Sequence, residues 1–133
     1  MDKSELMVGD YVCYNQANNY ITRVREIRQT NDGKEWYITC TRDGKDNTNP
    51  LADDRFHLDI LKPIPITNEI LEKIGFVWNE SPMIQYWTGY GLIIDQSGTL
   101  FYIRTLSTSM IIHSVHELQH IFKLCNINKE IIL

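Results

Sequence analysis

The chain has 133 residues, 43% of them hydrophobic and 23% charged, and a formal net charge of −4. That is enough chain for one domain, or two small subdomains, around a proper core, and its apolar content excludes a disordered protein. Divided at Pro65, the sequence carries 9 basic and 11 acidic residues before and 4 basic and 6 acidic residues after; neither half is a basic module, so charge gives nucleic-acid binding no support.

Cys13, Cys40 and Cys125 are odd in number and far apart, with no C-x-x-C pair. Each sits in an apolar or strand-like setting and reads as a small buried hydrophobe rather than half of a disulfide. The opening MDKSELMVGD has no apolar signal region, and no stretch approaches the length of a membrane span. A reduced, cytoplasmic protein without membrane attachment is the expectation.

In chain order, residues 6–14 (LMVGDYVCY) bend at Gly9-Asp10 and make a first strand, and 20–28 (YITRVREIR) make a second. Asn31-Asp32-Gly33 is a hairpin signal, because Gly accepts the positive φ such turns need. Residues 35–42 return as a third strand, 43–56 read as a polar loop, and 57–62 (HLDILK) close the module before Pro63 and Pro65. Short strands at this density, opened by V-G-D-Y-V, predict an SH3-like β module over residues 1–65.

Residues 66–133 then read as a helix, a β-meander and a helix, tightly docked on the first module to give an α+β fold. Thr67 is the N-cap of a helix over 68–74, Ile66 staples onto Leu71, and Gly75 supplies the left-handed end with Phe76 folding back. Strands follow at 83–87, 90–94, 99–105 and 109–113, with a turn at Gln96-Ser97-Gly98. The last helix spans 115–125, and the apolar tail EIIL is expected to dock as a short strand.

One motif points to chemistry. His116-Glu117-Leu118-Gln119-His120 matches H-E-x-x-H, in which two histidines on one helix face hold Zn²⁺ and the Glu acts on the metal-bound water. A third ligand is not evident. The positions three and six past His120 are Lys123 and Asn126, the only Glu further on is Glu130, and upstream candidates (His57, Asp59, Asp95) lack a motif. Ser114-x-x-Glu117 is also a capping box, in which the Glu117 carboxylate returns to the Ser114 N–H. Val115, Leu118, Phe122 and Cys125 form the buried stripe, with Ile121 beside them and His116 and His120 flanking it, partly exposed. The capped amphipathic helix is therefore preferred, with no catalytic residue, metal or cofactor. The alternative is a zinc hydrolase with Glu117 catalytic and His116 and His120 as ligands.

Three runs resemble a known group: L-M-V-G-D-Y-V near the start, D-I-L-K-P-I-P-I-T-N-E-I-L-E-K-I-G-F in the middle and V-H-E-L-Q-H-I-F-K-L-C at the end. Together they are similar to an uncharacterised family of small proteins from Bacteroidales genomes, their phages and mobile elements. The family's terminal helix opens Val-His, continues Leu-Gln and usually has Asn where His120 stands; Glu117 departs from it as well. The resemblance implies a fold plan and a genomic setting, with His116 and Gln119 as structural candidates that bond the neighbouring sheet or line a partner surface.

Two further groups are candidate contacts for an unknown protein partner. Arg23 and Arg25 share one face of the second strand, with Arg28 further along, and are the basis of a nucleic-acid adaptor alternative. Tyr86, Trp87 and Tyr90 are the densest aromatic cluster; alternation sends Tyr86 and Trp87 to opposite faces, one into a core and the other, with Tyr90, toward a protein or a stacked base. Packing between the two modules is the simpler use of that cluster. Asp53, Asp54, His57 and Asp59 read as solvated loop and strand flank rather than a metal site.

Overall fold

The computed structural model describes residues 6–14, 20–41, 53–57 and 61–133. The chain divides into two units, Met1–Ile64 and Pro65–Leu133, and each is built around its own antiparallel sheet, so the fold is α+β.

In the first unit the strands are β1 (Tyr11–Tyr14), β2 (Tyr20–Gln29), β3 (Trp36–Thr41), β4 (Asp53–His57) and β5 (Lys62–Pro63). Their order is β4-β3-β2-β1-β5. Among the described residues this sheet is open: β4 and β5 are its two edges, so a closed barrel is not formed by these strands. Residues 53–56, expected in the polar loop, begin β4 instead, paired residue for residue with β3. Asp59 and most of the predicted loop and closing strand lie outside the described residues.

The first strand is shorter than the sequence implies because residues 7–10 turn before it. Asp10 N–H bonds Met7 C=O at 3.1 Å, and the Asp10 carboxylate accepts from Met7 N–H at 2.7 Å. Gly9 N–H and Asp10 C=O then bond the two sides of Val24, which ties this turn to β2. The β2–β3 hairpin forms where Asn31-Asp32-Gly33 lies, closed by Thr30 N–H to Glu35 C=O at 2.9 Å, with Gly33 at φ 72°. The Thr30 hydroxyl and the Lys34 N–H both donate to Asp32, and together they hold its carboxyl below the usual carboxylate range.

The β2–β3 register shifts between Val24 and Glu26. Strict alternation from Val24 would have sent Glu26 and Arg28 inward. The bulge takes up Arg25 and leaves Ile27 on the core side, opposite Ile38. The core of this unit is accordingly Leu6, Val12, Val24, Ile38, Cys40 and Leu61, with Ile27 packed against it. Cys13 is buried too; burial pushes its thiol pKa up, and its Sγ lies 3.5 Å from Lys62 C=O.

The second unit holds α1 (Asn68–Ile74), β6 (Val77–Glu80), β7 (Gln85–Gly89), β8 (Leu92–Ser97), β9 (Leu100–Arg104), β10 (Ser109–Ile112) and α2 (Val115–Leu124). The strands form a meander in the order β10-β9-β8-β7-β6. β6 was not expected; its sequence V-W-N-E lacks a run of β-formers, and its pairing with β7 is set by Trp78 opposite Trp87. The predicted strand at 90–94 starts two residues late, because Tyr90 (φ 53°) and Gly91 (φ 77°) are the left-handed centre of a two-residue hairpin between Gly89 and Leu92. The tail is not a strand, although Ile131 is buried.

Alternation gives this sheet two unlike faces. One carries the row Trp78, Trp87, Ile94, Ile103 and Met110 and the shorter row Gln96, Phe101 and Ile112. The other carries Asn79, Tyr86, Asp95, Tyr102 and Ile111. Only the first face is rich in fully buried side chains. α1 has the caps its sequence implies: Ile70 N–H donates to the Thr67 hydroxyl at 3.2 Å, and Gly75 (φ 114°) and Phe76 both return their N–H groups to the last turn. The Tyr90 hydroxyl then donates to the Ile74 carbonyl, and the Tyr90 ring meets Phe76 at 5.5 Å and Phe122 at 5.2 Å between centroids.

Gly75 is therefore held by conformation and by space, since a Cβ there would stand 2.5 Å from the Tyr90 hydroxyl. Gly75→Ala is expected to lower the unfolding free energy by about 2 kcal/mol, as residues forced into left-handed backbone against a neighbour do. Urea unfolding checks this. A loss comparable to an exposed Gly→Ala change elsewhere would remove Tyr90 from its place at the helix end.

Candidate functional site

The H-E-x-x-H run lies on α2, and its residues part company. Ser114 is the N-cap: its hydroxyl accepts from Glu117 N–H at 3.4 Å. The Glu117 carboxylate accepts from His113 N–H at 2.7 Å. The capping box thus closes one residue earlier than expected, on the His113 amide rather than that of Ser114. The geometry explains the shift. Ser114 sits in an isolated bridge with Pro65, and His113 C=O accepts from Ile66 N–H at 3.2 Å, so the segment before α1 runs beside the entry to α2. His113 N–H is left as the donor that the carboxylate of the first helical turn meets.

His116 was expected to be partly exposed and is instead 3% exposed, with Nδ1 3.1 Å from the Ser114 hydroxyl. Gln119 is buried as well, so the buried arc of α2 is wider than its apolar stripe. It takes in Val115, His116, Leu118, Gln119, Ile121 and Phe122. Cys125, the expected last member of that stripe, is exposed, because the helix ends at Leu124 and the stripe with it. His120 is half-buried, and its ring meets that of His116 edge to face at 5.8 Å.

A zinc site needs a third protein ligand and a carboxylate facing open space. Among the described residues, no three His, Cys, Asp or Glu side chains are grouped to hold a metal. Glu117 is committed to a backbone amide, and Asp95, one of the upstream candidates, is paired with Arg104 at 2.5 Å on a different strand.

What α2 does build is a groove. Met110, Ile111 and Ile112 of β10 and Glu117, His120 and Ile121 of α2 line about 220 Å³, with Met110 and Ile112 on the sheet face opposite to Ile111. Met110 and Ile111 are 49% and 42% exposed. β10 is the outermost strand, with β9 as its one strand neighbour among the described residues. Sequence reasoning assigned SMIIH to a strand but gave no sign that it is an edge, since strand order is a tertiary property.

Of the other candidate residues, Trp87 and Tyr90 pack within the second unit. Trp87 is buried against Trp78 at 5.1 Å and donates from its indole to Gln96. Tyr90 holds the end of α1. Tyr86 is half-buried on the opposite face, under the Arg104 guanidinium at 5.6 Å, and Arg104 in turn pairs with Asp95. Arg23 donates to Gly9 C=O at 3.1 Å and lies 5.1 Å from the Tyr11 ring centre. Arg28 pairs with Glu26 at 2.6 Å beside a polar cleft of about 330 Å³ at the hairpin. The bulge brings Glu26 to the same face as Arg23, Arg25 and Arg28, so that strand presents mixed charge. Asp53, Asp54 and His57 lie along β4.

No family model, curated protein or solved structure matches the chain. Among the described residues, no helix is long and apolar enough to cross a membrane.

Ser114→Ala removes the N-cap and the contact to His116, and is expected to cost about 1–2 kcal/mol. Glu117→Gln, which keeps an acceptor for His113 N–H, is expected to cost less than half of that. Paired urea titrations of the two variants check the order; the reverse order would deny Ser114 its place as the cap.

Proposed function

We propose that this chain is a non-enzymatic interaction protein that engages another protein through the groove between β10 and α2. The observation that carries the reading is the use of Glu117. The Glu of the H-E-x-x-H run accepts a backbone N–H, and the groove it lines is otherwise mostly apolar and lies beside β10, an outer strand of the sheet. Exposed apolar surface that a fold does not need for its own core is the ordinary mark of a contact site.

The same reading treats the first unit as an SH3-like module. Its order, with the last strand returning beside the first and a long bulged second strand, supports this plan. A phage or mobile-element setting is part of the proposal and rests on the sequence resemblance alone. A zinc hydrolase is the competing reading, favoured by the presence of both Glu117 and His120 on the groove.

Two measurements test the proposal. Protein purified without a histidine tag is expected to hold zinc well below one atom per chain; stoichiometric zinc that is lost in His120→Ala would establish the hydrolase reading instead. A photo-crosslinking residue at position 111 is expected to yield a protein adduct in the native host that the same residue at position 80, on the opposite sheet edge, does not. Equal yields from both positions, or none from 111, would move the contact away from this groove.

A further inference from the structure

The β2–β3 hairpin carries a chemically reactive pair. In an Asp-Gly sequence the glycine amide nitrogen can attack the Cγ of the aspartic acid side chain. The N–Cγ bond forms, the amide proton and the side-chain hydroxyl leave as water, and a succinimide ring closes. Water added to one ring carbonyl restores aspartate; added to the other, it leaves isoaspartate, with the main chain routed through the side chain. Glycine permits the attack because it has no Cβ to crowd the nitrogen. The sequence has two such pairs, Asp32-Gly33 and Asp43-Gly44, of which the second lies outside the described residues.

Asp32 and Gly33 are both exposed, so water has access to the pair. The turn nevertheless holds each reacting group. Gly33 N–H, the nucleophile, donates to Thr30 C=O at 2.9 Å. Asp32 Oδ1, on the electrophile, accepts from the Thr30 hydroxyl and from Lys34 N–H at 3.0 Å. Both of these bonds favour the carboxylate over the acid, and the carboxylate is the unreactive form, since ring closure expels the acid's hydroxyl as water. They also fix the rotation of the side chain. The Thr30 hydroxyl in turn accepts from Glu35 N–H at 3.2 Å, and Gln29 Nε2 donates to Gly33 C=O at 2.6 Å. Ring closure therefore requires these bonds to open together, a local event of the kind exposed turns undergo without global unfolding.

We infer that Asp32 is a latent isoaspartate site gated by the β2–β3 turn. Thr30 is the gate: its carbonyl holds the Gly33 amide, its hydroxyl holds the Asp32 carboxylate, and the succinimide forms only while the turn is open. This modification site is separate from the groove and does not depend on the interaction reading above. Conversion adds one carbon to the main chain between Thr30 and Glu35, so a modified turn no longer meets the bonds that close it.

The test is ageing of the full chain for several weeks at neutral pH and body temperature, followed by peptide mapping. Trypsin releases Gln29–Lys34 as one peptide, distinct from the fragment that holds Asp43, and reversed-phase chromatography separates its isoaspartyl form. The reference is the same peptide aged free in the same buffer. Asp32 in the folded chain is expected to convert about tenfold or more slowly than in the free peptide, as a gate of two or more hydrogen bonds implies. Thr30→Val is expected to convert about threefold or more faster than the wild-type chain, and Thr30→Ser, which keeps the hydroxyl, at the wild-type rate. Equal rates in the folded chain and the free peptide would overturn the gate, as would wild-type behaviour of Thr30→Val at an unchanged urea midpoint. If Thr30→Val lowers the midpoint, amide exchange decides. Faster exchange at Gly33 with Val24 still protected supports the gate; equal loss at both would place control in the whole sheet and overturn it.

Discussion

The hydrogen bond from His113 N–H to the Glu117 carboxylate decides where the second sheet ends and its last helix begins. β10 stops at Ile112 and α2 starts at Val115, so two residues carry the whole change of direction. With Ser114 capping from one side and Glu117 from the other, that turn has little freedom. The helix must then run back beside the strand it left. The groove between β10 and α2 is a consequence of this short, doubly capped connection, as is the burial of His116 against Ser114.

The far end of α2 is fixed by aromatic packing. Phe122 meets both Phe76 and Tyr90, and Tyr90 reaches the last carbonyl of α1. One residue therefore joins the two helices to the β7–β8 hairpin. It does so from left-handed backbone at φ 53°, a conformation that costs a non-glycine residue on the order of 1 kcal/mol. The ring contacts and the hydroxyl bond offset that cost. Tyr90 is thus a structural tie at the end of α1.

Local features of the sequence were legible because they are set by neighbours. Thr67, Ser114 and Gly75 each act within one helical turn, and α1 lies where its punctuation puts it. The hairpin at Asn31-Asp32-Gly33 is equally local. What could not be read depends on distant residues. β6 forms because Trp78 meets Trp87, and the bulge at Arg25 appears only in the register with β3. His116 looks like a flanking residue by helical period, yet the helix buries a wider arc than its apolar residues mark. The groove was invisible for the same reason: residues 109–113 read only as a strand, and the strand order that puts them at an edge is not local.

Amide hydrogen exchange at His113 reports directly what the Glu117 carboxylate holds. In the wild-type chain the His113 amide proton is predicted to exchange slowly, although His113 is exposed and lies between two elements. In Glu117→Ala it is predicted to exchange at nearly the rate of an unprotected loop amide, while the amides of β9 remain protected. A His113 amide that exchanges freely in the wild type, or that is unchanged in Glu117→Ala, would contradict the capped turn and return Glu117 to the list of groups free for catalysis.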